Sequence, residues 1–384
     1  MPYLCGLRRF ANAYVKKNSK GGNFMRKNYI DNTRTLTIVL VVIYHVIYMF
    51  NSIVTAGVIG PITKFHGLNV VQYLLYPWFM VILFLISGMC SRYYLEKHTV
   101  KEYVKARSRK LLVPSTIGLF VIGWIQGYYN MAISHAFENI PDQVPAPVLY
   151  LIMCVSGIGV LWTIQVMWVL SMVLLLVRKI EKGRLLKIGE KAGIVVLLLL
   201  TVVVWGAAQI LNMPVISVYR FGIYGIAFLL GYYVFSHEKV TDTLKTYCIP
   251  LIIAAIFLGI LYVYKAYGTN YAVTPYVNSL LAVVYGWIMC LAILGAMKRW
   301  GDKSNGVLEF LHRKSFGLYV FHYLTLSSCA YYLTSYTTLP AVIVYLLTGV
   351  AAFGGALLLQ EMISRIPILR WCVLGMKGEK KHVS

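Results

Sequence analysis

An all-α polytopic membrane protein with about ten spanning helices is the fold this sequence predicts, and three observations carry it. Of its 384 residues, 59% are hydrophobic and only 13% are charged, a balance that belongs to integral membrane proteins. Ten hydrophobic runs are long enough to cross a hydrocarbon core about 30 Å thick, which takes about 20 helical residues. The basic residues fall on alternate sides of those runs, as the excess of Lys and Arg in cytoplasmic loops requires. An even number of spans puts both termini on one side, expected to be the cytoplasm.

The first run, 33–54, follows Tyr29-Ile-Asp31-Asn-Thr-Arg34. The second, 70–91, ends on Ser87-Gly88, a pair that permits close helix approach. The basic stretch 92–110 then leads through Lys110-Leu-Leu-Val-Pro114 into the third run, 111–133. Within that stretch Lys101, Lys105 and Arg109 recur at i, i+4, which predicts one basic face on a short amphipathic helix. Residues 146–157 are also apolar and read as a re-entrant or interfacial piece. The fourth run, 158–177, has Leu161-Trp162 at its start, and 192–211 follows. The sixth, 217–235, opens on Arg220 and carries Gly231 near its end. The last four are 248–266, 277–297, 315–334 and 340–362. Glycines, prolines and polar residues blur the edges of 158–177 and 217–235.

Of the 36 Lys and Arg, 32 fall in the segments assigned to the cytoplasm, leaving Arg34, Lys64, Arg220 and Lys265. The formal net charge of +23 is therefore topogenic, and nucleic-acid binding is not expected. Membrane lipid is the expected partner of the basic loops, each basic residue contributing roughly 1 kcal/mol near an anionic surface. The chain divides into a basic cytoplasmic segment 1–28, a transmembrane domain 29–362 and a basic tail 363–384. Residues 1–28 lack the apolar core of a cleavable signal peptide. Met25, just before Arg26-Lys27, is a natural alternative start that would make residues 1–24 dispensable. Seven cysteines without CxxC spacing read as small hydrophobes, so neither a metal site nor a disulfide framework is expected.

The residues that could carry chemistry are few. Arg34 and His45 are eleven apart, close to three turns, so they share one helix face with about 16 Å between them along the axis. Arg34 falls at the membrane edge and His45 about halfway across, and an intramembrane ionisable residue is by default a functional one. Imidazole is also the usual general base near neutral pH. His322 is the second histidine inside a predicted span. It shares a face with Ser315 and Tyr319, and this stripe either lines a cavity or locks two helices together. The outward loops 134–146 and 266–276 hold no Lys or Arg and many aromatic or polar residues. They suit a carbohydrate better than an anion, although many tyrosines will belong to an interfacial belt.

Taken together, Tyr29-Ile-Asp31-x-x-Arg34 with His45, then Phe84-Leu-Ile-Ser87-Gly88 and the basic run into Pro114, resemble the acyltransferase family 3 membrane proteins. Leu161-Trp162, Phe228-Leu-Leu-Gly231-Tyr and Ser315-Phe-Gly-Leu-Tyr319-Val-Phe-His322 follow in that family's order, so the resemblance covers roughly residues 28–362. Thr163 and Ile164 stand where the family often has Phe-Leu, and Met89 where it often has Phe. The appended extracytoplasmic esterase-like domain of some members is not expected. The resemblance implies transfer of an acyl group, commonly acetyl, from cytoplasmic acyl-CoA to a hydroxyl of a cell-envelope glycan or lipid-linked sugar. It implies His45 as base, or as the bearer of an acyl-imidazole, with Arg34 as donor anchor and Asp31 orienting Arg34. Arg92, Lys105, Arg107, Arg109 and Lys110 would join Arg34 as a mouth for the phosphates of coenzyme A. Ser87, Trp162, Ser315, Tyr319 and His322 would bind substrate or support the site. A multi-pass protein of a bacterial plasma membrane is expected, and a homo-oligomer is compatible with it. The competing class is a transporter or flippase for a lipid-linked or polysaccharide substrate. Against it stand the lack of an internal repeat and the near absence of acidic residues from the spans. A non-catalytic sensor or scaffold has no positive support.

Overall fold

The computed structural model describes residues 27–54, 57–64, 66–141, 143–213 and 218–376. The segment before Lys27, Asp142 and the last eight residues lie outside them, and with them the expectations for residues 1–24, Cys5 and His382. Among the described residues the protein is all-α and contains no strand.

Ten long helices follow the ten hydrophobic runs in order. They are α1 (Asn28–Met49), α2 (Asn69–Leu95) and α3 (Val100–Ile133). After the short α4 (Ala146–Ser156) come α5 (Gly159–Glu181), α6 (Ile194–Ala208) and α7 (Phe221–Phe235). The chain continues through α8 (Cys248–Ala266), α9 (Leu280–Trp300), α10 (Gly306–Tyr336) and α11 (Ala341–Arg365) to the short α12 (Pro367–Leu374). Seven of these are long and apolar enough to cross a membrane. The other three long ones differ for visible reasons. Helices α6 and α7 fall below the roughly 18 residues that a span needs, while serines, tyrosines and His322 make α10 more polar than a lipid-facing helix. The apolar stretch 146–157 is realised as α4.

Local sequence explains the breaks and caps. Pro77 lacks an N–H, and the helix bends between Leu75 and Phe79. Thr99 and Glu102 form a reciprocal capping box at the start of α3. Asn305 caps α10 by accepting from the Leu308 N–H at 2.9 Å. That cap starts α10 at Gly306, nine residues ahead of the run predicted to begin at 315, so His312 sits on the helix.

One expectation about the basic loop fails. Lys101 and Lys105 are exposed, but a π-helical turn at Ser108–Leu112 interrupts the α register before Arg109. Such a turn inserts an extra residue and rotates the helix beyond it. Arg109 lies within this turn, half-buried with its Nε shielded, so it does not continue the exposed face of Lys101 and Lys105.

Packing puts α1 at the centre, against α2, α9 and α10. Helices α2 and α7 meet through two reciprocal glycines. A Cβ on Gly88 would run into the Phe228 carbonyl, and one on Gly231 into the Leu85 carbonyl. On the periphery, Val195, Leu199 and Val202 of α6 are exposed, as are Ile253, Phe257 and Ile260 of α8. Their three- and four-residue spacing makes apolar stripes facing outward, as a bilayer requires. At the basic end, Glu238 joins Lys27 and Lys298, each at 2.5 Å, and ties α1 to α9. Burial pushes the Glu238 carboxyl up, but the two ammonium groups outweigh it and hold it below the ordinary carboxylate range. Asn32 adds a side-chain bond to the Lys303 carbonyl at 2.8 Å.

Candidate functional site

Two cavities face each other along α1. The one toward the basic end has a volume of about 340 Å³, the one toward the opposite end about 470 Å³. Tyr319 lines both. Its hydroxyl donates to the Val160 carbonyl at 3.0 Å, which ties α10 to the turn that opens α5.

The basic-end cavity is cationic. Arg34, Arg107, Lys110, His312 and Arg313 line it, and no Asp or Glu does among the described residues. Arg34 is partly exposed and pairs with Asp31, one turn earlier, at 2.8 Å. Arg107 is held in place by α2: its Nη2 donates to Ser91 Oγ at 2.6 Å and to the Ser87 carbonyl at 3.3 Å. Lys110 lies over the Phe316 ring at 4.4 Å, close enough for a cation–π contact. Ile38, Leu83, Ile86, Ile164 and Met167 supply an apolar wall deeper in. Guanidinium and ammonium groups above an apolar slot fit a ligand with a polyanionic head and a thin apolar arm.

The opposite cavity is uncharged and aromatic. Tyr44, Tyr48, Tyr76, Trp162, Tyr224 and Tyr323 surround it, with Asn130 and Ser134 as polar points. Aromatic faces and amide or hydroxyl groups suit a neutral, hydroxyl-bearing ligand.

His45 lines this aromatic cavity. Its Nδ1 lies 2.8 Å from the Val41 carbonyl. A carbonyl only accepts, so Nδ1 carries the hydrogen and Nε2 is the nitrogen able to take a proton. The His45 and His322 ring centroids are 5.0 Å apart, and Tyr44, Tyr48 and Tyr323 ring His45 edge-on.

Of the residues singled out in the sequence, Arg34, Ser87, Arg107, Lys110, Ser315 and Tyr319 line the cationic cavity. His45 and Trp162 line the aromatic one with Tyr319, and fully buried His322 stands against His45. Three basic candidates lie elsewhere. Arg92 pairs with Glu96 at 3.0 Å, Lys105 is exposed, and half-buried Arg109 lines neither cavity. His312 and Arg313 also line the cationic cavity and were not among the candidates. His312 Nδ1 contacts Thr35 Oγ1 at 2.8 Å, joining α10 to α1. The signal was Asn305, a helix-capping residue seven and eight positions ahead of them.

A family model described as an acyltransferase domain matches residues 27–361. No curated protein and no solved structure matches the chain.

Proposed function

The chain belongs to this acyltransferase family and is a membrane acyltransferase, and on that premise we propose that it moves an acyl group, acetyl first among them, from acyl-CoA to a hydroxyl of a cell-envelope glycan or lipid-linked sugar. The observation that carries this reading is the pair of opposed cavities sharing Tyr319. A cationic slot suits the phosphates and pantetheine arm of coenzyme A. An aromatic, uncharged cavity suits a sugar. Ten spans with both termini in the cytoplasm belong to the same proposal, as do a transmembrane domain of 29–362 and a plasma-membrane location. In that orientation the cationic cavity opens toward cytoplasmic acyl-CoA and the aromatic one toward the envelope.

In this reading Arg34, Arg107, Lys110 and Arg313 hold the donor phosphates, with Asp31 fixing the rotamer of Arg34. The acyl thioester reaches past Ser87 and Ser315 toward Tyr319. His45 Nε2 takes the proton of the acceptor hydroxyl, whose oxygen attacks the thioester carbonyl carbon. The carbon–sulfur bond breaks, and the thiolate leaves with the electron pair and recovers the proton. Direct attack needs no acyl-imidazole.

The test is mass spectrometry of envelope glycans and lipids from cells with the protein, without it, and with His45→Ala. Wild type should add the mass of one acyl group to a defined species. His45→Ala should remove that mass while protein abundance stays constant, because a positioned general base contributes about 10²–10⁴-fold. Undiminished acylation by His45→Ala would refute the assignment.

A further inference from the structure

His322 is fully buried, lines neither cavity, and touches the ring that does. Its Nε2 lies 3.2 Å from His45 Nδ1. Its own Nδ1 lies 2.8 Å from the Tyr319 carbonyl and 3.2 Å from that of Leu318. Carbonyl oxygens accept and never donate, so each Nδ1 must carry a hydrogen. Both Nε2 atoms are then bare. The contact between the rings consequently has one direction: His45 Nδ1–H donates, and His322 Nε2 accepts. The hydrogen is shared with the Val41 carbonyl, 2.8 Å away.

We propose that His322 is a positioning residue for His45, a neutral imidazole in the place that a carboxylate occupies behind the histidine of a hydrolytic triad. This rests on the acyl-transfer function proposed for the chain. No carboxylate forms an ion pair with either ring among the described residues, and a carboxylate would be costly at this depth in a bilayer. A second imidazole supplies an acceptor lone pair without burying a charge. It stands behind His45 as seen from the aromatic cavity, so it aims His45 Nε2 at the acceptor.

The proton inventory balances. The acceptor O–H bond breaks and its proton goes to His45 Nε2, while the oxygen bonds to the acyl carbon. The electron pair of the carbon–sulfur bond leaves with sulfur. For that moment His45 is an imidazolium, and its Nδ1–H bond to His322 Nε2 becomes charge-assisted and stronger. His45 Nε2 then gives its proton to the thiolate. Both rings end neutral, with one ester and one thiol formed.

Two measurements on the full-length protein in bilayers test this. With ¹⁵N-labelled histidine, magic-angle-spinning NMR should show a protonated His45 Nδ1 correlated with an unprotonated His322 Nε2. A protonated His322 Nε2, or no correlation, overturns the proposal whether or not the protein transfers anything. The second measurement is turnover, with labelled acetyl-CoA and a glycan and lipid extract as acceptor. His322→Gln places a carbonyl oxygen near the lost Nε2 and should keep most of the turnover. His322→Asn cannot reach, and should lower apparent kcat about tenfold or more with KM for acetyl-CoA unchanged, the scale on which residues that orient a reactive ligand act. An Asn variant turning over like wild type overturns the role. A correlated pair in a protein that consumes no acetyl-CoA upholds the histidine geometry and refutes the donor assignment instead.

Discussion

Arg313 reaches the cationic cavity on a helix that Asn305 starts more than two turns ahead of the run predicted from residue 315. Arg92, equally basic and nearer the Ser87-Gly88 motif, is taken up by Glu96 and lies within 5.9 Å of the Tyr232 ring. The two arginines therefore make opposite predictions. Arg313→Ala should raise the KM for acyl-CoA severalfold with little change in kcat, since it removes a uniform binding contact. Arg92→Ala should leave that KM within twofold of wild type, a margin of about 0.4 kcal/mol. Initial rates against acyl-CoA concentration decide it, and equal effects of the two substitutions would mean the cavity does not define the donor site. Arg34 was readable from the sequence because a charge at the edge of an apolar run stands out. The failure to rank the other basic residues has a physical cause. Their direction depends on a π turn and on neighbours such as Glu96, and spacing alone encodes neither.

At the scale of elements, α2 lines both cavities and α7 packs behind it, adding Tyr224 to the aromatic one. Phe84 of α2 stacks on Tyr224 of α7 at 4.6 Å, and Trp162 packs against both. This packing depends on backbones meeting at Gly88 and Gly231. Gly88→Ala would place a methyl where a carbonyl oxygen sits, forcing the helices apart. Overpacking of a close-packed interior costs typically about 1–3 kcal/mol, and here the obstacle is backbone that cannot rotate aside. The variant should unfold at lower temperature in detergent and lose activity, whereas Gly206→Ala, which meets nothing within 4 Å, should do neither. The Ser-Gly pair pointed to a close helix approach in the sequence, whereas Gly231 stood out only as a glycine near the end of its run. Which glycine meets which carbonyl is set by helix crossing, and no spacing rule contains it. The helices themselves were legible for a simpler reason: lipid solvates only apolar side chains and unbroken backbone hydrogen bonding, so runs such as 248–266 declare themselves. The runs 158–177 and 217–235 were less plain, because glycines, prolines and polar residues blur their edges.

For the whole molecule, the decisive arrangement is two cavities in one bundle, with Tyr319 common to both. An enzyme built this way must also serve as part of the membrane's electrical insulation. In the orientation proposed above each cavity opens to its own side, which leaves the side chains around Tyr319 and the two histidines as the layer between them. Tyr319→Ala would remove the phenol and its latch on Val160 together. Proteoliposomes carrying it should dissipate an imposed pH gradient faster than those carrying wild type, read with an entrapped pH-sensitive dye. Equal decay would mean that neighbouring residues seal the wall without it. The same layer gives such a protein a second constraint beyond catalysis: every residue at the septum must let an acyl group meet a hydroxyl while denying protons a path between two compartments at different potential.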